Sequence, residues 1–264
     1  MARGPAVDPG VRTLIVDSHA HVALNWYEPL ESLDDQMKRN GVARAVLTQP
    51  LGQTDNAYIQ ACRRNDPERY ATIVLVDPAA RDAVANLERL ASDGASGVRL
   101  RPGARSEGGD GLALWRAARD LGLAVSSPGK GEDFASPEFA ALVEALPDLR
   151  IVIEHLAGGN RDAFALARFP NVFLKVPGLG ELAARAADRN AAFPFERAGL
   201  TVLDAALAAF GPQRLMWGSD FPLVCGREGY AGSLRFCIDA FAACSASERE
   251  LIFGGVADRV FQRK

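Results

Sequence analysis

The sequence predicts an α/β fold in which eight parallel strands alternate with helices, a (β/α)8 or TIM barrel. Eight short β-rich runs occur along the chain, and segments with helical start and stop signals follow most of them. The runs are apolar at nearly every residue, which is typical of parallel strands that are buried on both faces. Neither a break in composition nor a long linker divides the 264 residues, so we expect one barrel domain over residues 1–264.

The eight predicted strands follow one another in chain order. They are TLIVDSH (13–19), ARAVLTQ (43–49), YATIVLVD (70–77), GVRLR (97–101), LAVSS (123–127), RIVIEH (150–155), NVFLKV (171–176) and RLMWGSD (214–220). Eight β/α units in a chain of this length favour a closed barrel. A doubly wound open sheet is the alternative, but it would normally carry a glycine-rich phosphate loop after its first strand, and DSHAHVALNW has none.

Helical signals lie between these strands. Ser32, with Asp35 three residues later, resembles a capping box, and Gly41 stands where a left-handed residue would end that helix. Ser136 as N-cap and Pro137 at the first helical position predict the start of another helix.

The longest connection spans residues 177–213. It is expected to hold a helix, an irregular piece around RNAAFPFERAG, and a second helix through LTVLDAALAAF. The C-terminal SASERELIFGGVADRVFQ is typical of a closing helical segment.

Composition and charge exclude several classes of protein. Hydrophobic residues make up 48% of the chain and charged residues 24%, as in ordinary globular proteins. The net charge of -3 and the short Lys/Arg runs argue against a nucleic-acid binder, while a small anionic substrate remains compatible. No apolar run approaches the ~20 residues of a membrane span, and the N-terminal MARGPAVDPGVR lacks a signal-peptide core. We therefore expect a cytoplasmic protein without membrane contact, and the four cysteines, which form no C-x-x-C pair, should be free thiols.

The three histidines of the chain fall at strand ends. His19 and His21 stand one residue apart at the end of the first strand, and residues at this spacing point to the same side of a strand. His155 ends the sixth predicted strand, and Asp220 ends the eighth. Because a (β/α)8 barrel gathers these ends at its C-terminal mouth, where its active sites lie, all four are predicted catalytic residues.

Two arginines at the end of the fourth strand are predicted to bind substrate. The guanidinium groups of Arg99 and Arg101 match the geometry of a carboxylate. The alternative is that either arginine pairs with an acid on a neighbouring strand, for example Glu154. Lys175, on the seventh strand, is either a third cation near the anionic group or a member of an interior ion pair.

Four further side chains are predicted to line the substrate pocket. Gln49 ends the second strand, and Ser127 ends the fifth. Trp26 and Tyr27 follow the histidine pair, in a loop where aromatic rings could cover a planar ligand, although simple packing explains them as well. Cys225, five residues after Asp220, could enter the site, but a buried or loop thiol is the plainer interpretation.

Several segments resemble signature segments of the amidohydrolase superfamily. They are DSHAH, GVRL, IVIEHLAG, NVFLKVPGL and RLMWGSDFP, and the branch resembled contains 2-pyrone-4,6-dicarboxylate lactonase and the sugar-acid lactonases. VLTQPLGQTDNAYIQACRRNDPERYATIVLVDP resembles the same branch, so the similarity covers essentially the whole chain. The resemblance implies a hydrolase that opens a small carboxylated lactone or pyrone-like ester. Asp220 would activate water, and His19, His21 and His155 would polarise the carbonyl.

The fifth strand departs from the pattern of metal-dependent members. These carry a further histidine at its end, where this chain has LAVSSPGK, with Ser126 or Ser127 at the position. The resemblance therefore implies that no metal is obligatory. A single Zn²⁺ held by His19, His21 and Asp220 is the alternative.

Two other functions stay open at this point, besides a zinc-dependent amidohydrolase. A non-oxidative decarboxylase of the same superfamily would rely on a divalent metal as electrophile, and the missing fifth-strand histidine counts against it. A barrel that only binds a small molecule would have no need for a base such as Asp220. A homodimer is compatible with the sequence, because no pattern separates solvated from paired helix faces.

Overall fold

A computed structural model describes residues 14–188 and 190–261, which form a (β/α)8 barrel. Its eight parallel strands are hydrogen-bonded in sequential order. They are β1 (Val16–Ala20), β2 (Arg44–Thr48), β3 (Tyr70–Val74), β4 (Gly97–Arg99), β5 (Ala124–Ser127), β6 (Ile151–Ile153), β7 (Val172–Val176) and β8 (Leu215–Trp217). A bridge between Ala20 and Phe221 brings the last strand back to the first. The predicted fold and the predicted order of strands are confirmed.

Helices follow the strands around the barrel. The α-helices of the described residues are α1 (Leu30–Asn40), α2 (Ala57–Asn65), α3 (Ala83–Ser92), α4 (Ala113–Asp120), α5 (Gly131–Ala135), α6 (Pro137–Ala145), α7 (Arg197–Phe210), α8 (Gly229–Ala240), α9 (Ala246–Glu250) and α10 (Val256–Phe261). Shorter helical turns cover Glu154–Gly159, Arg161–Arg168, Leu179–Glu181, Pro212–Arg214 and Leu223–Gly226, and a π-helical turn covers Leu251–Gly255. Among these helices, none is long and apolar enough to cross a bilayer.

Two helix boundaries follow the predicted capping chemistry. Gly41 ends α1 in the left-handed region, with a φ of 69° that favours glycine. The hydroxyl of Ser136 accepts a hydrogen bond from the backbone N–H of Phe139 and caps α6, which has Pro137 in its first turn.

The predicted capping box at Ser32 and Asp35 is wrong. Helix α1 starts earlier, at Leu30, because Pro29 occupies the N-cap position with extended backbone. The Ser32 hydroxyl then lies within the helix and donates to Glu28 at 3.1 Å.

The connection 177–213 matches the prediction only in its second half. Helix α7 is confirmed, but in place of the first predicted helix there is a single turn over Leu179–Glu181. Gly180 packs so closely on the carboxylate of Glu228 that an added Cβ would overlap it. Its backbone N–H donates to the same carboxylate at 3.1 Å, so this tertiary contact replaces continued helix.

The barrel interior has an apolar layer and a polar layer. The apolar layer comprises Val46, Ala124, Val152 and Phe173 together with Val256, Ala257, Val260 and Phe261 from α10. Two residues further along the same four strands stand buried polar side chains, namely Thr48, Ser126, Glu154 and Lys175. Residues at this spacing share a face, so the polar layer lies above the apolar one, toward the C-terminal mouth.

A buried carboxylate ties β1 to the end of β8. Asp17 accepts hydrogen bonds from the backbone N–H of Ser219 at 2.8 Å, from its hydroxyl at 2.6 Å and from the Tyr230 hydroxyl at 3.0 Å. Burial raises the pKa of Asp17, and these hydrogen bonds act against that rise. The network fixes the chain next to Asp220 relative to the strand that carries His19.

Candidate active site

The histidine pair lies where β1 ends. The pairing of β1 with β2 changes register between Asp17 and Ala20, a bulge that redirects the side chains at the strand end. The rings of His19 and His21 meet edge to face with their centroids 4.8 Å apart. The two imidazoles therefore lie on the same side, as the spacing predicts.

Asp220 faces both imidazoles. Its Oδ1 lies 3.6 Å from Nε2 of His19 and 3.5 Å from Nε2 of His21. The backbone of Asp220 has a φ of 59°, a left-handed conformation that aspartate tolerates better than most residues. Its N–H donates to the His19 carbonyl at 2.8 Å, which anchors the loop to β1. Such backbone outliers concentrate at functional sites.

His155 joins the pair from a left-handed turn. Its Nε2 lies 3.4 Å from Nε2 of His19. His155, Leu156 and Ala157 all have φ values between 51° and 54°, and Gly158 follows with 61°. Left-handed backbone costs about 1–2 kcal/mol for each non-glycine residue. The turn after β6 thus keeps an unfavourable backbone that brings the third imidazole to the first.

An acid outside the predicted set holds His155. Its Nδ1 lies 2.6 Å from Oε1 of Glu181, and the other oxygen of Glu181 lies 3.3 Å from Arg227. Burial works to lower the pKa of His155, but the hydrogen bond and charge of Glu181, with the charge of Asp220, outweigh it and raise that pKa. The side chain of His155 is 22% exposed, so this imidazole reaches the mouth of the barrel.

Lys175 lies directly beneath His19. Its Nζ is 2.9 Å from Nδ1 of His19 and donates to the Ser126 hydroxyl at 2.9 Å. Burial lowers the pKa of Lys175 to about 7, although the charge of Glu154 acts in the opposite direction. Burial and the Lys175 charge lower the pKa of His19 well below its ordinary value. His19 is therefore a neutral imidazole.

Arg99 is engaged by Glu154. Its guanidinium donates to the two oxygens of Glu154 at 3.0 and 2.6 Å and to the backbone carbonyl of Gln49 at 3.1 Å. Oε1 of Glu154 also accepts from the Ser126 hydroxyl at 2.7 Å. Burial opposes ionisation of Glu154, but the charges of Arg99 and Lys175 outweigh it and lower its pKa to about 2. The geometry is that of the alternative in which Arg99 pairs with a neighbouring acid.

Arg101 has different surroundings. It is exposed and lines a cavity of 650 Å³ at the C-terminal ends of β3 and β4, with apolar neighbours such as Leu51 and Pro102. Within residues 14–188 and 190–261 its guanidinium makes neither a hydrogen bond nor an ion pair. Of the two predicted carboxylate-binding arginines, Arg101 is the one with its donors free.

The aromatic residues after the histidine pair behave differently from each other. Tyr27 stacks on the ring of His21, with centroids 5.4 Å apart and planes inclined by 25°. Trp26 is 80% exposed. Tyr27 therefore packs against the imidazole of His21, whereas Trp26 is exposed to solvent.

Two predicted pocket residues are held by backbone carbonyls. The amide of Gln49 donates to the carbonyls of Gln53 and Asp55, both at 2.9 Å. The hydroxyl of Ser127 donates to the carbonyl of Leu100 at 2.7 Å. Through these hydrogen bonds, both side chains hold the backbone at the ends of their strands.

Sequence reasoning missed Glu181 and Arg227. The signal that could have found them is position, because they follow the C-terminal ends of β7 and β8, where barrel active sites collect. Arg227 also lies 3.9 Å from Oδ2 of Asp220. Cys225, in the same loop, is an exposed free thiol.

Among the described residues, three sets of side chains bring metal-ligating atoms within 4.8 Å of one another. They are His19, Glu154 and His155; His19, His21 and Asp220; and His155, Glu181 and Asp220. In the predicted set, His21 fits a metal, because its Nδ1 lies 2.6 Å from the Thr48 carbonyl and a metal-bound histidine usually donates its other N–H in this way. His19 does not fit while Lys175 is charged, because its Nδ1 then faces an ammonium group, which cannot accept a hydrogen bond.

Comparison with known proteins identifies relatives over nearly the whole chain. The family model described as Amidohydrolase matches residues 16–263. An L-fucono-1,5-lactonase of Burkholderia ambifaria is 30% identical, over 93% of this chain and 94% of that protein. The crystal structure of a candidate 2-pyrone-4,6-dicarboxylic acid hydrolase of Pseudomonas putida is 25% identical over 95% of this chain and 98% of that one, with a TM-score of 0.74. A zinc-bound amidohydrolase structure from Burkholderia multivorans, 22% identical over 94% and 99% of the two chains, shares the fold with a TM-score of 0.74.

We expect Arg99→Met to lower the free energy of unfolding by about 3–5 kcal/mol, because Glu154 would remain buried without its guanidinium partner. Arg101→Met, two residues further along, should change it by less than about 0.5 kcal/mol, since that side chain is exposed. Urea unfolding followed by circular dichroism measures both. Equal losses in the two variants would contradict the structural role of Arg99.

Proposed function

Because this chain belongs to the amidohydrolase family of hydrolases, we propose that it opens a small carboxylated lactone or pyrone-like ester. The observation that carries the proposal is the contact of the Asp220 carboxylate with two imidazoles, at 3.6 and 3.5 Å, beside a third at the barrel mouth. A base among several imidazoles is what ester hydrolysis requires. A binding protein would have no use for this arrangement. The names of the relatives, a fuconolactonase and a pyrone dicarboxylate hydrolase, support a lactone as substrate.

Asp220 is the base in this proposal. Its carboxylate takes a proton from water as the water oxygen bonds to the carbonyl carbon, and the electron pair of the C=O bond moves to the carbonyl oxygen. The ring C–O bond then breaks, and the departing oxygen takes up a proton. The products are a carboxylic acid and a hydroxyl group on one open chain. The loop that carries Asp220 is held to β1 by its N–H bond to His19, which fixes the base relative to the imidazoles.

His155 supplies positive charge near the reacting oxygen. Glu181 binds its Nδ1 and raises its pKa, so the protonated imidazole is favoured, with a hydrogen on Nε2. That nitrogen lies 3.4 Å from Nε2 of His19. Donors placed where negative charge develops are commonly the largest contribution to hydrolysis of this kind. The departing oxygen can take its proton from the same group.

The carboxylate of the substrate is assigned to Arg101. Its guanidinium is free and lines the 650 Å³ cavity, a volume within the range of small-molecule sites. Arg99 lines the same cavity, but its donors already serve Glu154 and the Gln49 carbonyl. A planar guanidinium binds a carboxylate through two parallel hydrogen bonds. The residues that line this cavity include Asp77 and Asp133 but neither the histidines nor Asp220, so the substrate would have to reach from Arg101 to the reacting groups.

Hydrolysis without an obligatory metal is part of the proposal. The support is the environment of His19, whose Nδ1 faces Lys175 and lacks the acceptor that usually backs a metal-bound imidazole. The same misfit weighs against a decarboxylase that uses a divalent cation as electrophile.

Asp220→Asn should reduce kcat by at least about 10²-fold, because the amide cannot accept the proton from water. Asparagine has nearly the same volume and tolerates left-handed backbone, so folding should be retained. Acid release from a panel of sugar-acid lactones and carboxylated pyrones is followed with a pH indicator.

Asp204→Asn, an exposed carboxylate on α7, is the matched control and should keep full activity. Retained turnover in Asp220→Asn would remove this residue as the base. If the wild-type protein hydrolyses no lactone of the panel, the proposed function is wrong.

Exhaustive dialysis against a chelator should leave the rate of hydrolysis unchanged, since no step of the proposal uses a cation. Dialysis without chelator is the control, and elemental analysis verifies that zinc has been removed. Activity that disappears with the chelator and returns with zinc would contradict metal-free hydrolysis.

Activity should fall on the alkaline side as His155 loses its proton, and Glu181→Gln should move this fall to lower pH. The sign follows because the Glu181 carboxylate raises the pKa of His155 and the amide removes that charge. The pH profile of kcat/KM, corrected for spontaneous hydrolysis, measures the shift. Glu132→Gln, an exposed carboxylate of α5, should leave the profile in place. A shift to higher pH, or none, would contradict the assigned role of Glu181.

A further inference from the structure

We propose that His19 and His21 are held in opposite tautomers, and that Lys175 is the positioning residue that sets the tautomer of His19. The two histidines share one strand end and one neighbour, Asp220, yet their Nδ1 atoms face groups of opposite hydrogen-bonding character. The tautomers follow from these contacts and from the positive charge of Lys175. Only the chemical roles assigned to them rest on the proposed function.

His21 carries its hydrogen on Nδ1. That nitrogen lies 2.6 Å from the backbone carbonyl oxygen of Thr48, and a carbonyl oxygen can only accept. In the neutral imidazole Nε2 therefore has a lone pair, 3.5 Å from Oδ1 of Asp220. Tyr27, stacked on the same ring, keeps the plane of His21 in this orientation.

His19 carries its hydrogen on Nε2. Its Nδ1 lies 2.9 Å from Nζ of Lys175, and the direction of this hydrogen bond follows from the next one. The Ser126 hydroxyl donates its single hydrogen to Glu154 at 2.7 Å, so its oxygen accepts from Lys175. Below its pKa of about 7, Lys175 is an ammonium group, which has three donors and no acceptor, so Nδ1 of His19 then accepts as well.

The electrostatic surroundings agree with a neutral His19. Burial, the charge of Lys175 and the two neighbouring imidazoles all lower its pKa well below the ordinary value. The third face of the ammonium lies 5.5 Å from the ring of Phe261, where a cation is also stabilised. Lys175 thus has a partner on every side, and one of them is the histidine.

Opposite tautomers give the site one donor nitrogen, on His19, and one acceptor nitrogen, on His21. Nε2–H of His19 is a donor, and Nε2 of His155 lies 3.4 Å away and also carries a hydrogen when that imidazole is protonated. Two donors cannot bond to each other, so both are available to a common acceptor, the carbonyl oxygen, as negative charge grows there. Nε2 of His21 is an acceptor and can take a hydrogen bond from the attacking water. The second hydrogen of that water then faces Asp220, which removes it as a proton. The same division leaves His19 without a lone pair for a metal.

Lys175 is required because a carboxylate competes for Nδ1. Oε1 of Glu154 lies 4.0 Å from Nδ1 of His19. On the other side of the ring, Oδ1 of Asp220 lies 3.6 Å from Nε2 and attracts the hydrogen there. Without the ammonium group at Nδ1, Glu154 competes with Asp220 for this hydrogen. Substitution of Lys175 should therefore shift the tautomer of His19 toward Nδ1–H and leave that of His21 unchanged.

Imidazole nitrogen shifts test the inference directly, because the chain has only three histidines. A two-bond ¹H–¹⁵N correlation spectrum of the full chain labelled with ¹⁵N-histidine separates protonated from unprotonated nitrogens. It is recorded without substrate and below the Lys175 pKa of about 7. His21→Gln and His155→Gln assign the signals by removing one set each. We expect His19 to show a protonated Nε2 and His21 a protonated Nδ1. The same tautomer in both residues, or a protonated Nδ1 in His19, would overturn the proposal.

Lys175→Met and Ser126→Ala form the matched pair. Methionine removes the donor to His19 but keeps most of the volume of the side chain, and we expect a protonated Nδ1 in His19. Ser126→Ala removes the other hydrogen-bond partner of Lys175 and should leave the tautomer of His19 unchanged. An unaltered His19 in Lys175→Met would show that lysine does not set the tautomer. Should that variant fail to fold, the wild-type spectrum still decides between the two tautomers.

Turnover gives a second readout that a purely structural lysine would not produce. Loss of one donor to the developing oxyanion should lower kcat in Lys175→Met by about 10²–10³-fold, with KM little changed. A rise in KM at constant kcat would contradict the positioning role. If the spectra show opposite tautomers but no lactone is hydrolysed, the proposed function fails while the tautomers stand.

Discussion

A buried network of charges inside the barrel positions the site. Arg99 donates to both carboxylate oxygens of Glu154. Glu154 also accepts a hydrogen bond from the Ser126 hydroxyl, and the Ser126 oxygen in turn accepts one from Lys175. Each of these groups would be costly in an apolar interior by itself, and each is tolerated because its neighbours satisfy it. The network ends at Nδ1 of His19. A neutral histidine at the mouth of the barrel is thus anchored to four strands by hydrogen bonds that solvent does not reach.

Backbone geometry supplies the other half of the arrangement. The irregular register in β1, the left-handed Asp220 and the left-handed turn at His155 all occur within the small region where the imidazoles meet. Such conformations persist only where surrounding contacts over-determine them. Here the contacts are the Asp17 hydrogen bonds to Ser219 and the N–H bond from Asp220 to the His19 carbonyl. Packing in the rest of the fold thus offsets the unfavourable backbone of this region, which brings the imidazoles and Asp220 together.

The strands could be predicted because apolar runs mark them in the sequence. The convergence of His19, His21 and Asp220 could be predicted because each stands at the end of a predicted strand. Apolar runs identify buried parallel strands, and parallel strands bring their ends together whatever the distance in sequence. Which partner a buried polar group chooses has no such signal. Glu154 could have faced helices as easily as Arg99, and Glu181 lies in a connection whose first predicted helix does not form. Gly180 adopts its conformation because of Glu228, nearly fifty residues later, and no local pattern reports that contact.

The end of the fifth strand links the buried charge network to the question of metal binding. The resemblance implies an imidazole at that end in metal-dependent members, where this chain has Ser126 or Ser127, and here Ser126 accepts from Lys175. A lysine donating into this position and a cation bound nearby would repel each other, since they would stand on opposite nitrogens of His19. The serine at this position and the lysine that donates to it therefore act together. In the proposed metal-free hydrolysis, the positive charge that a bound metal would supply would come from protein groups, directly from His155 with Glu181 and indirectly from Lys175 through His19. On this argument, a histidine restored at residue 126 would not by itself create a metal site, because the Lys175 ammonium would still occupy the lone pair of Nδ1.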